Sequence, residues 1–184
     1  MSMDSADIGL AFLRIVIGLT MAAHGAQKAF GWWSGPGPDG WRRAVASMGF
    51  RPSGLWAAIS TLAELIGGLS LAVGLFTPFA AAILVAQSVV IIGQVHWPKG
   101  FWNRNSGYEF PLVLAAGAVA VALVGPGALS LDHALGIAFN DAIRLVARRR
   151  APGVASRSRS PGRIPRPAAP GHRRRPSDRG RLTP

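Results

Sequence analysis

Ionisable side chains interrupt stretches of this 184-residue chain that otherwise hold little but apolar residues. Arg14 lies inside the run Ile8–Ala23, and Glu64 lies inside Leu55–Phe76. His24 and Lys28 close the first run, Gln87 and His96 lie along the third, and Tyr108 and Glu109 open the last. Groups of these types can move protons, hold a polar ligand by hydrogen bonds, or clamp helices through ion pairs. A charge in hydrocarbon costs at least ~2.5–3.5 kcal/mol on insertion scales, so such groups are usually paired, cavity-facing and functional. The sequence therefore points to a polar interior inside an apolar protein.

Helical rise sets the depth of each group. At ~1.5 Å per residue, and with the tryptophan-rich side taken as outer, His24 lies roughly 10 Å in, Glu64 roughly 14 Å and Gln87 roughly 15 Å. These three depths agree. Lys28, Gln94, His96 and Glu109 are expected nearer the outer mouth, so that the set forms a cavity opening outwards. Arg14 lies about 9 Å from the opposite end. It has two routes open: snorkelling to the inner headgroups, or turning back to pair with Glu64. Glu64 has no snorkelling route and needs a partner or a bound proton. An interhelical clamp and a proton-relay or ligand role both fit it.

Several chemistries are excluded. The chain has no cysteine, so disulfides, thiolate metal sites and cysteine nucleophiles are absent. His24 and His96 raise the question of haem or a metal, but no carboxylate–histidine cluster has metal-ligand spacing, and Lys28 beside His24 disfavours a cation. No metal is expected. There is no phosphate-binding glycine loop and no nucleophile elbow.

The elements that must position these groups are four apolar segments: Ile8–Phe30, Ser53–Phe76, Phe79–Trp97 and Tyr108–Val124. A spanning helix needs roughly 20 apolar residues, with ~17 as the lower limit. The first three satisfy this, and the fourth does so only with Tyr108 and Glu109 at the interface. The fold expected is all-α, a polytopic four-helix membrane bundle. Thr77-Pro78 joins segments two and three as a tight hairpin, and Asp39–Phe50 forms a short helix on the membrane. The tryptophans, at 32, 33, 41, 56, 97 and 102, all fall near span ends on one side, as in an aromatic belt. Gly18, Gly25, Gly67, Gly68 and Gly74 allow helices to approach closely.

Charge divides the chain. Residues 1–143 carry seven basic and seven acidic side chains, whereas residues 144–184 carry thirteen arginines and one aspartate. The whole net charge of +12 thus belongs to the tail. The bundle with a short interfacial helix, capped at Ser130 and running to about Val146, takes residues 1–146. Residues 147–184, rich in Arg and Pro, cannot bury a core and are expected to be disordered. Their partner is expected to be anionic lipid; nucleic acid is disfavoured because no aromatic interleaves the arginines. The acidic N-terminus and Arg14 argue for a retained helix over a cleaved signal peptide. The density of arginine after the last span puts both termini in the cytoplasm.

Several ordered motifs resemble the DoxX family. They are Arg14 with His24-Gly25-Ala26-Gln27-Lys28 and Phe30-Gly31, then Glu64 ahead of Gly67-Gly68 and Gly74-Leu75-Phe76-Thr77. Gly107-Tyr108-Glu109-Phe110-Pro111 looks like that family's entry to its fourth helix, and Gly125-Pro126-Gly127 with Leu129-Ser130-Leu131-Asp132 like its closing motif. The resemblance covers about residues 8–140. It implies a four-helix protein of the bacterial plasma membrane, with Arg14, His24, Lys28, Glu64, Tyr108 and Glu109 as family positions. It does not carry catalysis over. Some members are similar to the membrane subunit of a thiosulfate:quinone oxidoreductase, and others are associated with thiol-redox partners.

Three functions follow as expectations. One is a membrane anchor or subunit for a soluble redox partner, docking through Gly31–Pro52 or the basic tail. Another is a quinone-linked oxidoreductase subunit, with His24, Lys28 or Arg14 donating hydrogen bonds to a quinone and Glu64 or Glu109 handling protons. The third is a small-molecule transporter. A charged interior in so small a bundle also makes a homodimer plausible.

Overall fold

A computed structural model describes residues 4–137. Among these residues the chain is helical and has no strand. Helix α1 is Ser5–Phe30, α2 is Gly37–Ser47, α3 is Ser53–Val73, α4 is Thr77–Ile91, α5 is Glu109–Val124 and α6 is Leu131–Ala134. A π turn, Ile92–His96, and a 3-10 turn, Trp97–Lys99, extend α4.

Three of these stretches, Ser5–Phe30, Ser53–Val73 and Thr77–Lys99, are long and apolar enough to cross a membrane. Helix α5 is shorter, with 16 residues; its rise of about 24 Å falls below the ~30 Å hydrocarbon thickness. Burial runs opposite to that of a water-soluble bundle. Phe12, Val113 and Leu123 are more than 60% exposed, while Arg14 and Glu64 are 2% and 3% exposed. An apolar exterior around buried charge is the pattern a lipid solvent selects. The described residues form an all-helical unit with the build of an integral membrane protein.

Helix α1 packs chiefly on α3, and α4 on α5. The α1–α3 crossing is close because small residues line it. A Cβ added at Gly18 would stand 2.5 Å from Gly68 O and Ala72 N, and one at Gly68 would stand 2.5 Å from Ala22 N. No side chain fits between these backbones, so dispersion contact between them replaces side-chain interdigitation. Ile17, Met21, Leu71, Ala81, Leu84 and Val121 fill the centre of the bundle.

Two element boundaries differ from the sequence expectation. Helix α3 ends at Val73 because Gly74 takes a left-handed conformation, φ 70°, and α4 already begins at Thr77. Of the helix expected from Ser130 to about Val146, the described residues, up to Ile137, form a single turn. Ser130 Oγ does cap it by accepting from His133 N at 3.1 Å. Gly136, at φ 66°, then ends the turn, and Ile137 N bonds back to Asp132 O at 2.8 Å. The rest of that expected helix and the tail 147–184 lie outside the described residues.

Candidate functional site

Helices α1, α3 and α4 bring one buried polar cluster together. Lys28 Nζ stands 2.5 Å from Glu64 Oε1 and 3.4 Å from Ser60 Oγ. Gln87 Nε2 donates to Ser60 Oγ at 2.6 Å and to Glu64 Oε1 at 3.1 Å. The face of Trp41, on α2, covers the ammonium at 4.0 Å from ring centroid to Nζ. Lys28 thus has a carboxylate on one side and a π face on the other, two interactions that strengthen as water is excluded.

The depth argument set Lys28 nearer the mouth than Glu64. The lysine closes that gap because helical side chains lean towards the N-terminus, and on α1 that direction leads into the bundle. Ser60 was not singled out from the sequence. Its signal was spacing: residues 60 and 64 lie at i and i+4 on α3, hence on one face.

Three chambers adjoin this cluster. One, of about 380 Å³, lies among α1, α2 and α3 and is lined by Lys28, Asp39, Trp41, Arg42, Ala57 and Thr61. Of the two that reach Gln87, the larger, about 280 Å³, lies among α2, α3 and α4. Its walls include Trp41, Phe50, Trp56, Ile83 and Val90, and its polar edge is Ser60, Gln87 and Gln94. Ser60 Oγ accepts from Lys28 and Gln87, which leaves its O–H to donate. The smaller chamber, about 70 Å³, is lined by Met21, His24, Glu64, Gln87, Ser88 and His96, with Phe110, Pro111 and Leu114 from α5 and Ile91 from α4. The π turn helps to set its composition. It takes in an extra residue relative to an α-turn, so the side chains beyond it are rotated by about one position.

His24 Nδ1 lies 2.9 Å from Thr20 O, and His96 Nδ1 lies 2.6 Å from Ser106 O. Each ring is thereby fixed by a backbone carbonyl. Tyr108 and Glu109 stay outside the cluster. Tyr108 stacks on Trp97 at 5.2 Å, and Glu109 accepts from Asn103 N at 2.9 Å, which ties the α4–α5 loop to α5. Among the described residues no group of three or more His, Cys, Asp or Glu could hold a metal ion.

Arg14 takes neither route expected of it. It neither snorkels nor pairs with Glu64. Its Nε donates to Ala72 O at 3.3 Å, Nη2 to Leu129 O at 2.6 Å and Nη1 to Pro126 O. The accepting carbonyls lie at or beyond helix ends, where intrahelical donors run out. Arg14 is therefore the staple for the loop after α5. Asp132 completes this second cluster: its carboxylate accepts from Phe76 N at 2.7 Å and Thr77 N at 2.8 Å, capping α4. Sequence reasoning gave residues 130–132 only to the helix that follows. No local signal could assign the carboxylate to a helix that starts 55 residues earlier. Asp7 likewise accepts from Ala128 N, at 3.0 Å.

Residues 9–97 match the family model DoxX. Over this segment the chain is similar to the DoxX family. No curated protein and no solved structure matches it. The DoxX match takes in α1 to α4, and with them Arg14, His24, Lys28, Ser60, Glu64, Gln87 and His96. Helix α5, the carbonyls that receive Arg14 from the loop, and Asp132 lie beyond the matched segment.

Proposed function

We propose that this DoxX-like protein is a membrane subunit that binds a quinone-class molecule in the larger chamber and works with a soluble redox partner. The observation that carries the reading is the chamber of about 280 Å³, whose walls are apolar except for Ser60, Gln87 and Gln94 at one edge. Ligand sites have this composition, an apolar cleft with a few convergent polar groups. The size suits a single ring, with a hydrocarbon tail left to the lipid.

The Ser60 O–H would donate to a ring carbonyl, and Trp41, Phe50 and Trp56 would flank the ring and keep water out. Behind them, Glu64 would hold or release a proton, with Lys28 stabilising its ionised form. A bound quinone supplies two-electron, two-proton redox chemistry. Electrons would come from the partner protein. The reading extends to a multi-pass protein of the bacterial plasma membrane with both termini cytoplasmic, supported by the thirteen arginines of residues 144–184.

The test is purification in mild detergent, with extraction of lipophilic compounds and identification of co-purifying proteins. Wild type is compared with Ala86→Trp, which fills the larger chamber, and with Ser60→Ala. Quinone in the wild type, lost in Ala86→Trp and reduced in Ser60→Ala, supports the reading. A soluble protein retained in all three with no lipophilic compound would leave the chain as an anchor.

A further inference from the structure

We propose that the smaller chamber holds water and gives Glu64 a proton route separate from the larger chamber. The argument starts from an imbalance at one carboxylate. Glu64 Oε1 receives Lys28 at 2.5 Å and Gln87 at 3.1 Å. Glu64 Oε2 is buried and has no hydrogen-bond partner among the described residues. A buried carboxylate oxygen without a partner is costly, and native proteins meet that cost with a donor or an ordered water.

The smaller chamber meets the requirement for water. Its volume is about 70 Å³, and Glu64 itself is on its wall. At roughly 30 Å³ each, about two waters fit, and each needs two to four polar partners. His24, Gln87 and His96 provide such partners alongside Glu64. An apolar void of this size would stay dry; this one has two imidazoles and a carboxylate around it.

The imidazoles give the water a direction. His96 closes the π turn after α4, next to Trp97, and His24 is on the exposed side of α1. A proton arriving at His96 or His24 would pass to a water, and that water would give up a proton to Oε2, converting carboxylate to carboxylic acid. Return follows the same path in reverse, with no electron moved and no other reactant needed. The charged and titratable groups facing Glu64 are Lys28 and His24 from α1 and His96 from the α4 extension; the chamber's α5 wall, Phe110, Pro111 and Leu114, is apolar. This inference stands on the smaller chamber alone and does not require a quinone in the larger one.

The test is hydroxyl-radical footprinting of the full-length protein in lipid nanodiscs, followed by infrared spectroscopy on the same samples. Met21 is 6% exposed and lines the smaller chamber, so rapid radiolytic oxidation there reports water inside the protein. Wild-type Met21 is expected to be oxidised, and Ser88→Leu, which fills the chamber, to cut that rate at least tenfold. His24→Phe, at the exposed side of the chamber, serves if Ser88→Leu does not fold. Infrared difference spectra between alkaline and acidic buffer, with Glu64→Gln assigning the band, are expected to show Glu64 interconverting reversibly, at least tenfold more slowly in the filled variant. Met21 oxidised no faster in wild type than in the filled variant overturns the inference. So does a Glu64 band that stays in one form, or one that changes equally fast in both proteins.

Discussion

The Arg14 guanidinium occupies the space that a side chain at residue 74 would need. A Cβ built on Gly74 would stand 2.6 Å from Arg14 Nη1 and 2.6 Å from Ser130 Cβ. Gly74 also has φ 70°, which ends α3, and its carbonyl accepts from Asp132 N at 2.8 Å. One glycine thus turns the chain, admits the arginine and receives the closing loop. Gly74→Ala should cost about 1–2 kcal/mol for the left-handed backbone alone, and more for the displaced guanidinium. The expected result is a clear fall in Tm in mild detergent. Gly9→Ala, a helical site with nothing within 4 Å of the added Cβ, should leave Tm unchanged or raise it.

Arg14→Lys should not rescue the loop. Three backbone carbonyls from two segments receive the guanidinium, and a lysine cannot reproduce that planar fork. Limited proteolysis near Pro126–Leu129 should be at least several-fold faster in Arg14→Lys than in wild type. Equal rates would refute the staple.

Asp132→Ala should fray the start of α4. The carboxylate caps two amides at once, Phe76 N and Thr77 N, and loss of a helix cap costs roughly 0.5–2 kcal/mol. Amide exchange at these two positions should speed up at least several-fold. Asp132→Asn keeps one acceptor oxygen and should fall between.

Lys28→Met should be more damaging than its double mutant with Glu64→Gln would suggest by simple addition. Removing one partner of a buried pair costs roughly 3–5 kcal/mol because the other charge is left uncompensated. Once Glu64 is neutral, that penalty disappears. A double-mutant cycle by denaturant unfolding in micelles should give a coupling of at least about 1 kcal/mol. Additive effects would mean that the 2.5 Å contact contributes nothing to stability.

Gly68→Leu should drive α1 from α3. The Cβ alone would meet Ala22 N and Gly18 O, both backbone atoms that cannot rotate away. Crosslinking between residues introduced at 19 and 69 should drop at least several-fold. Gly67→Ala, on the same helix but 3.4 Å from a Leu84 methyl, a side-chain contact of ordinary length, should be tolerated.

The apolar runs and their interrupting charges were enough to read an all-helical membrane protein from the sequence, because lipid permits few alternatives to a helix long enough to span it. Local chemistry was legible in the same way: Ser130 as a cap, tryptophans at span ends. The partners of the buried charges were not. Glu64 had Arg14 as its named candidate, and depth along the helix axes did not reveal Lys28. The choice depends on how α1 rotates against α3, and that rotation is set by the Gly18–Gly68 contact. Lys28 then faces Glu64 and Ser60, while Arg14 faces carbonyls in the last turn of α3 and beyond α5. The capping of α4 by Asp132 was hidden for the same reason, since a residue distant in sequence becomes a neighbour only when the loop closes. Sequence determined what kind of groups lie inside the membrane, because burying them is costly wherever they go. Tertiary structure decided which of them meet, because pairing depends on angstrom-scale helix rotation that hydropathy does not encode.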